Sequence, residues 1–349
     1  MKAIILTFSK EDNRGANLQA YALSSYLKKN GFSVDFLDIQ LPGKKINFKG
    51  RILQNVNKYL AGRFRKKNEF TFTKKYYTLD ELKLNPPKAD LYIVGSDQVW
   101  NTEITNSLDP RIYFLTFLPD RVRKIAYAAS FGRNKWAITA FDSEIKQSLH
   151  TFHAISVRED SGIIICKEKF DIDNVECVLD PTLLLDDKSL ESLLPNNRLV
   201  RNQIFGYYLY RNESIHNMSI RISEILHLPF EKTFKAKGAF RFFHFYGIKT
   251  WIKKICQAEF VITNSFHCMV FCILLRKSFV VLPTFPGREI RMLSLLRKIG
   301  LGERYFDNIE DIEKRQIVLF EKIDYNLVFK LLEKYRSNSI QFLQKAITF

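Results

Sequence analysis

The first forty residues confine this chain more tightly than any later stretch. KAIILTF, residues 2–8, is a short apolar run of strand length. NRGANLQAYALSSYLKKNGF, residues 13–32, follows it: Leu18, Tyr21, Ala22, Ser25 and Tyr26 recur at helical spacing, and Gly31 supplies a helix stop. SVDFLDI, residues 33–39, is a second apolar run. Strand, helix, strand in so short a length is a βαβ unit, and a βαβ unit implies a parallel sheet.

The pattern continues. DLYIVGSDQVWN (90–101), RKIAYAASFG (123–132) and HAISVREDSG (153–162) each read as a strand running into a polar turn or a helix start. From VECVLDPTLLL (175–185) it begins again, with strands expected in NQIFGYYLY, PFEKTFKA, EFVITNS and SFVVLPT. An amphipathic helix closed by Gly300 and a helical tail over 325–347 complete it. A chain of 349 residues exceeds the ~100–200 of one domain. The expected fold is therefore α/β: two Rossmann-like lobes with parallel sheets, 1–150 and 151–349, with the active site in the cleft between them. The C-terminal helix is expected to belong to the second lobe by sequence and to pack back on the first. In open parallel sheets ligands bind beyond the carboxyl ends of the strands. The polar clusters NRGAN, GSDQVWN, VRED and TNSFH all fall at such ends.

Composition narrows the chemistry. The five cysteines form no C-x-x-C pair and are odd in number, so they are expected reduced, as core residues, with no metal site. No stretch reaches the ~18 apolar residues of a membrane span, and the N-terminal run is too short for a signal peptide. A cytoplasmic protein is the expectation. The net charge is +17, and residues 44–77 hold eleven Lys or Arg against one acid, Glu69. Within them Ile52, Leu53, Val56, Tyr59, Leu60 and Phe64 form one stripe of a basic helix. Such a segment suits an anionic membrane surface, nucleic acid or an anionic substrate, or it is simply a solvated face. No recognisable nucleic-acid module accompanies the charge, so nucleic acid is not expected as a partner. Dinucleotide, P-loop, zincin and α/β-hydrolase signatures are all missing.

Three clusters carry candidate chemistry. In TNSFH, Asn264 or Ser265 can cap a helix beginning near Phe266, which puts His267 in its first turn. Free N–H groups and the helix dipole favour an anion there, so His267 is suited to hold one and donate a proton beside it. Its bland alternative is a hydrogen-bonded core histidine. In SVRED, Arg158 stands at a strand end, where it can form a bidentate pair with phosphate or carboxylate, or a salt bridge with a neighbouring acid. In GSDQVWN, the carboxylate of Asp97, the amides of Gln98 and Asn101, Ser96 and the indole of Trp100 make a kit for sugar hydroxyls, or else a capped turn over a packed Trp.

Taken in order, NRGANLQAYAL, IVGSDQVWN, AYAASFG, SVREDSG, VLDPTLLL and VITNSFHCMVFCILL resemble the polysaccharide pyruvyltransferase family. The resemblance implies a GT-B-like fold. It implies transfer of a pyruvyl group from phosphoenolpyruvate to two hydroxyls of a sugar, forming a ketal, with no metal or organic cofactor. It places phosphoenolpyruvate on the C-terminal lobe beside His267 and Arg158, with Asn264 and Ser265 nearby. Many relatives have an arginine where this chain has Phe266, so Arg288 or Arg291 is expected to serve instead. Asp97 is the expected acceptor ligand or base. The acceptor side is expected to include Asn13, Arg14, Asn17 and Gln19 with Ser96, Gln98, Trp100 and Asn101. The sugar is lipid-linked or nucleotide-linked on this reading, and basic residues 44–77 could hold the protein at the inner membrane face. The alternative on the same fold is a glycosyltransferase using a nucleotide-sugar.

Overall fold

The computed structural model describes residues 1–10, 12–40, 48–105, 109–196, 199–231 and 246–348, with the backbone alone for 48–54. The chain divides into two compact units, one of Met1–Leu185 with Tyr335–Phe349 and one of Asp186–Lys334.

The first unit is built on seven parallel strands: β1 (Lys2–Leu6), β2 (Ser33–Ile39), β3 (Thr71–Tyr76), β4 (Leu91–Val94), β5 (Lys124–Ala129), β6 (Ala154–Val157) and β7 (Val175–Cys177). Their spatial order is β3-β2-β1-β4-β5-β6-β7. The strand order therefore reverses beside β1, which pairs with β2 on one side (Lys2↔Ser33) and β4 on the other (Ala3↔Leu91). That reversal is the switch point of a doubly wound sheet. Both faces of the sheet are covered. Ile4, Leu6, Tyr92 and Val94 belong to one core, while Ala3, Ile5, Leu91 and Ile93 belong to the other. Burial on both sides is why these strands are continuous apolar runs rather than alternating ones.

The division expected at residue 150 falls later. β6 pairs with β5 (Ile125↔Ala154) and β7 with β6 (Ile155↔Val175), so residues 154–177 finish the first sheet. Arg158 consequently belongs to the first unit. The end of the last helix, Tyr325–Ile347, belongs to it as well. Phe342, Leu343, Ala346 and Ile347 sit in the core that holds Ala20 and Tyr127, and Arg123 donates to the carbonyl of Ala346 at 3.0 Å.

Among its described residues the second unit carries three parallel strands, β8 (Arg201–Tyr207), β9 (Ala258–Thr263) and β10 (Ser278–Val281), in the order β10-β9-β8. The strand expected in PFEKTFKA leaves a bridge between Phe230 and Ile204; residues 232–236 lie outside the described ones. Within the basic segment, β3 is an edge strand where only helix was expected. Phe70 and Phe72 hold it on Phe36, with ring centroids 4.6 and 5.8 Å apart. The helix before it, Phe48–Lys67, packs through Ala61 and through Phe64, whose ring meets Tyr21 edge-on at 5.9 Å. Of the expected stripe, the side chains of Ile52 and Leu53 lie outside the described residues, and Tyr59 is 65% exposed. No helix among the described residues is long and apolar enough to cross a membrane.

Candidate active site

Each unit gathers its polar residues at the carboxyl ends of its strands, as the fold requires. In the first unit the centre is the turn after β4. Gly95 has φ 110°, and a Cβ there would lie 2.3 Å from the carbonyl oxygen of Tyr127 on the neighbouring strand, so only glycine fits. Asp97 also has positive φ, 79°, a conformation that costs a non-glycine residue energy and persists where neighbours enforce it.

The neighbours are visible. Asp97 Oδ1 accepts from the Gln98 amide at 2.9 Å and from Arg158 Nη2 at 3.3 Å. Arg158 Nη1 donates to Asp180 Oδ2 at 2.8 Å, and the same oxygen accepts from Ser96 Oγ at 2.9 Å. The other oxygen of Asp180 takes the Thr182 hydroxyl at 2.6 Å and its amide at 3.0 Å. Burial disfavours the charge on Arg158, but Asp180, Asp97 and Glu159 together more than offset that, and its pKa is raised. The pair is thus a buried ionic network, in which loss of one partner typically costs about 3–5 kcal/mol.

Glu159 braces the turn from the next loop. Its Oε1 accepts from Ser130 Oγ at 2.9 Å and from the Gly132 amide at 3.0 Å. Gly132, φ 66°, sits so close to Gln98 that a Cβ would come within 2.2 Å of Gln98 Oε1. Gln98 in turn receives Asn101 Nδ2 at 3.1 Å.

These contacts sort the expected acceptor residues. Trp100 is 1% exposed, stacks on Phe114 at 5.2 Å and donates its indole N–H to Tyr113, so it is core beneath the turn and shows no face to a sugar. Ser96 is fully buried with its hydroxyl on Asp180. Gln19 is also buried; its amide reaches Thr7 Oγ1 at 2.8 Å, and Thr7 donates to the Ser96 carbonyl. Asn17 is buried and accepts from Arg65 Nη1 at 3.0 Å. Asn13 caps the helix Arg14–Lys29, taking the Gly15 amide at 2.9 Å, and is exposed. Asn13, Arg14 and Gln98 keep surface, and Asp97 keeps a little, 7%.

In the second unit, Ser265 is the cap of the helix Phe266–Leu274, accepting from the Cys268 amide at 3.4 Å. Asn264 does something else. It accepts from the Leu209 amide at 2.8 Å and donates to the carbonyls of Tyr210 and Pro283 at 2.7 and 2.9 Å. Its amide is committed to tying together the loops after β8, β9 and β10, which removes it from the expected donor ligands. His267 lies in the first helical turn, 7% exposed, with its ring perpendicular to that of Phe266 at 5.3 Å. The Arg291 guanidinium lies over the Phe266 ring at 5.8 Å, and Arg288 lies over Phe285 at 5.1 Å. The structure therefore brings Arg291 beside the residue preceding His267, while Arg158 belongs to the first unit with its fork on Asp97 and Asp180.

The sequence profile of the polysaccharide pyruvyl transferase family matches residues 13–284, a span that contains both groups. The chain belongs to that family. Solved structures agree on the fold. UGT89C1 of Arabidopsis thaliana superposes with a TM-score of 0.53 at 8% identity, covering 99% of each chain. A Listeria monocytogenes protein described as a UDP-N-acetylglucosamine 2-epimerase gives 0.55 at 10% identity, covering 98% of this chain and 94% of its own. LpCGTa in complex with UDP gives 0.52 at 9% identity over 100% and 99%. These place this polysaccharide pyruvyl transferase family member among GT-B-type folds. No curated protein matches its sequence.

Sequence reasoning named Glu159 only as one possible salt-bridge partner of Arg158, and gave Asp180 no part in the first group; the ion pairs go to Asp97 and Asp180. Asp180 stood inside VLDPTLLL, and Glu159 follows Arg158 directly; a buried acid beside a strand-end arginine was the available signal.

Proposed function

We propose that the protein transfers the pyruvyl group of phosphoenolpyruvate to two hydroxyls of one sugar and releases inorganic phosphate. The observation that carries this reading is the coincidence of the family match with the His267 group. An imidazole at a helix N-terminus, with Arg291 over the ring of the preceding Phe266, suits a small molecule bearing a phosphate and a carboxylate, and Arg288 is a second candidate cation for it. His267 protonates the methylene carbon, and the cation-like centre that forms is attacked by the first hydroxyl. Phosphate leaves, and the second hydroxyl closes the ketal. Of the two hydroxyl protons, one ends on the new methyl group and one on phosphate, so the step needs no further reactant. Asp97 holds or deprotonates the acceptor hydroxyl, with Gln98, Asn13 and Arg14 as further contacts for the sugar.

The same reading sets the protein in the cytoplasm, at an anionic membrane surface carrying a lipid-linked acceptor. Its support is the helix Phe48–Lys67, which has no acidic residue and exposes Lys58, Arg63, Lys66 and Lys67. A panel of lipid-linked and nucleotide-linked sugars incubated with phosphoenolpyruvate tests the function: phosphate release with a gain of one pyruvyl mass supports it. Release of a nucleotide from a nucleotide-sugar, without phosphoenolpyruvate, would establish a glycosyltransferase instead.

A further inference from the structure

We propose that Asp180 is a positioning residue for Asp97, acting through Arg158 and Ser96. The proposal rests on the reading of Asp97 as the acceptor-side group. Asp180 lies after β7, far in sequence from the turn it controls, and is 1% exposed. Its Oδ2 receives both Ser96 Oγ and Arg158 Nη1, so one oxygen ties the residue before Asp97 to the arginine that touches Asp97. Its Oδ1 is fixed by Thr182, which leaves Asp180 little freedom to turn.

Position and charge follow from one arrangement. Arg158 would draw Asp97 inward if it faced that carboxylate alone. With Asp180 taking Nη1 at 2.8 Å and Asp97 taking Nη2 at the longer 3.3 Å, the stronger contact is inward and Asp97 stays at the rim. The Arg158 side chain is 1% exposed, against 11% for Asp97. The charged groups in this cluster are Asp97 after β4, Arg158 and Glu159 at the end of β6 and Asp180 after β7. Arg158 thus serves the acceptor turn through two of its five N–H groups.

The test compares wild type with Asp180→Asn and Ser96→Ala. Amide exchange reads the turn without any substrate, through Gln98, whose N–H bonds Asp97 Oδ1. In Asp180→Asn it should quicken at least ~10-fold while β1 keeps its protection. The carboxyl carbon of Asp97, followed by NMR, should titrate at lower pH than in wild type, because Arg158 then faces one carboxylate fewer. Binding of phosphoenolpyruvate by calorimetry should stay within about twofold of wild type. Ser96→Ala keeps the charge of Asp180, so it should quicken Gln98 exchange and leave the Asp97 midpoint in place; it serves if Asp180→Asn does not fold. An unmoved Gln98, or exchange that rises equally across the sheet, overturns the proposal, as does a large loss of phosphoenolpyruvate affinity. A wild type that releases no phosphate from phosphoenolpyruvate would instead overturn the proposed function, and the exchange result would still decide the role of Asp180.

Discussion

Arg291 and Phe266 are twenty-five positions apart, yet the guanidinium of one lies 5.8 Å from the ring centre of the other. Phe266 precedes His267 directly, so the contact delivers a positive charge to the start of the helix by way of another helix, Ile290–Lys298. An arginine over an aromatic face is partly held by the ring itself. The charge is thus stationed there before any anion arrives.

Arg291→Gln is therefore expected to weaken phosphoenolpyruvate binding about tenfold or more, as loss of a charge-assisted bond does. Isothermal calorimetry with phosphoenolpyruvate reads it. Equal affinity in variant and wild type would mean that Arg291 only packs on Phe266.

His267→Ala should keep the fold and lower turnover by at least ~10²-fold, the usual scale for losing a general acid. The motive is its place in the first turn after the Ser265 cap. Phosphate release at saturating donor is the measurement, and near-normal turnover in the folded variant would assign the histidine to the core.

The exposed basic face predicts binding to vesicles containing anionic lipid, weakened by salt, and none to neutral vesicles. Replacing Lys58, Arg63, Lys66 and Lys67 with Gln should abolish co-sedimentation. Arg65 is not in this set, because it bonds Asn17 and the carbonyl of Ser9. Equal recovery with both kinds of vesicle would show a merely solvated face.

Cys166 predicts an alkaline limit. Burial, and then Glu159, push its thiol from 9.0 up to about 12. The folded state holds this proton more tightly than the unfolded chain. The contribution to stability is therefore whole below about pH 9 and is lost as pH rises toward 12. Thermal unfolding should shift downward between pH 9 and 10.5, by less in Cys166→Ala. Iodoacetamide at pH 8 should leave Cys166 unmodified in the native protein; rapid labelling there would contradict the burial.

Local pattern determined much of this protein. The βαβ opening, nine of the ten strands among the described residues and the cap before His267 follow from apolar runs, helical spacing and N-cap chemistry, which act over a few residues. β3 escaped because TFTKKYY lies in a lysine-rich stretch and an edge strand needs few apolar residues; its place is fixed by Phe36 on β2. The end of the first unit escaped as well, since no linker marks it and the pairing of β6 and β7 onto β5 is a long-range matter. Tertiary structure alone decided the partners of the polar residues. SVRED and VLDPTLLL each look like a strand end with a charge; only folding brings Arg158 and Asp180 to 2.8 Å beneath Asp97. The motif sets an arginine at a strand end, but which anion it meets depends on which strands become neighbours, and that is decided by packing between residues far apart in sequence.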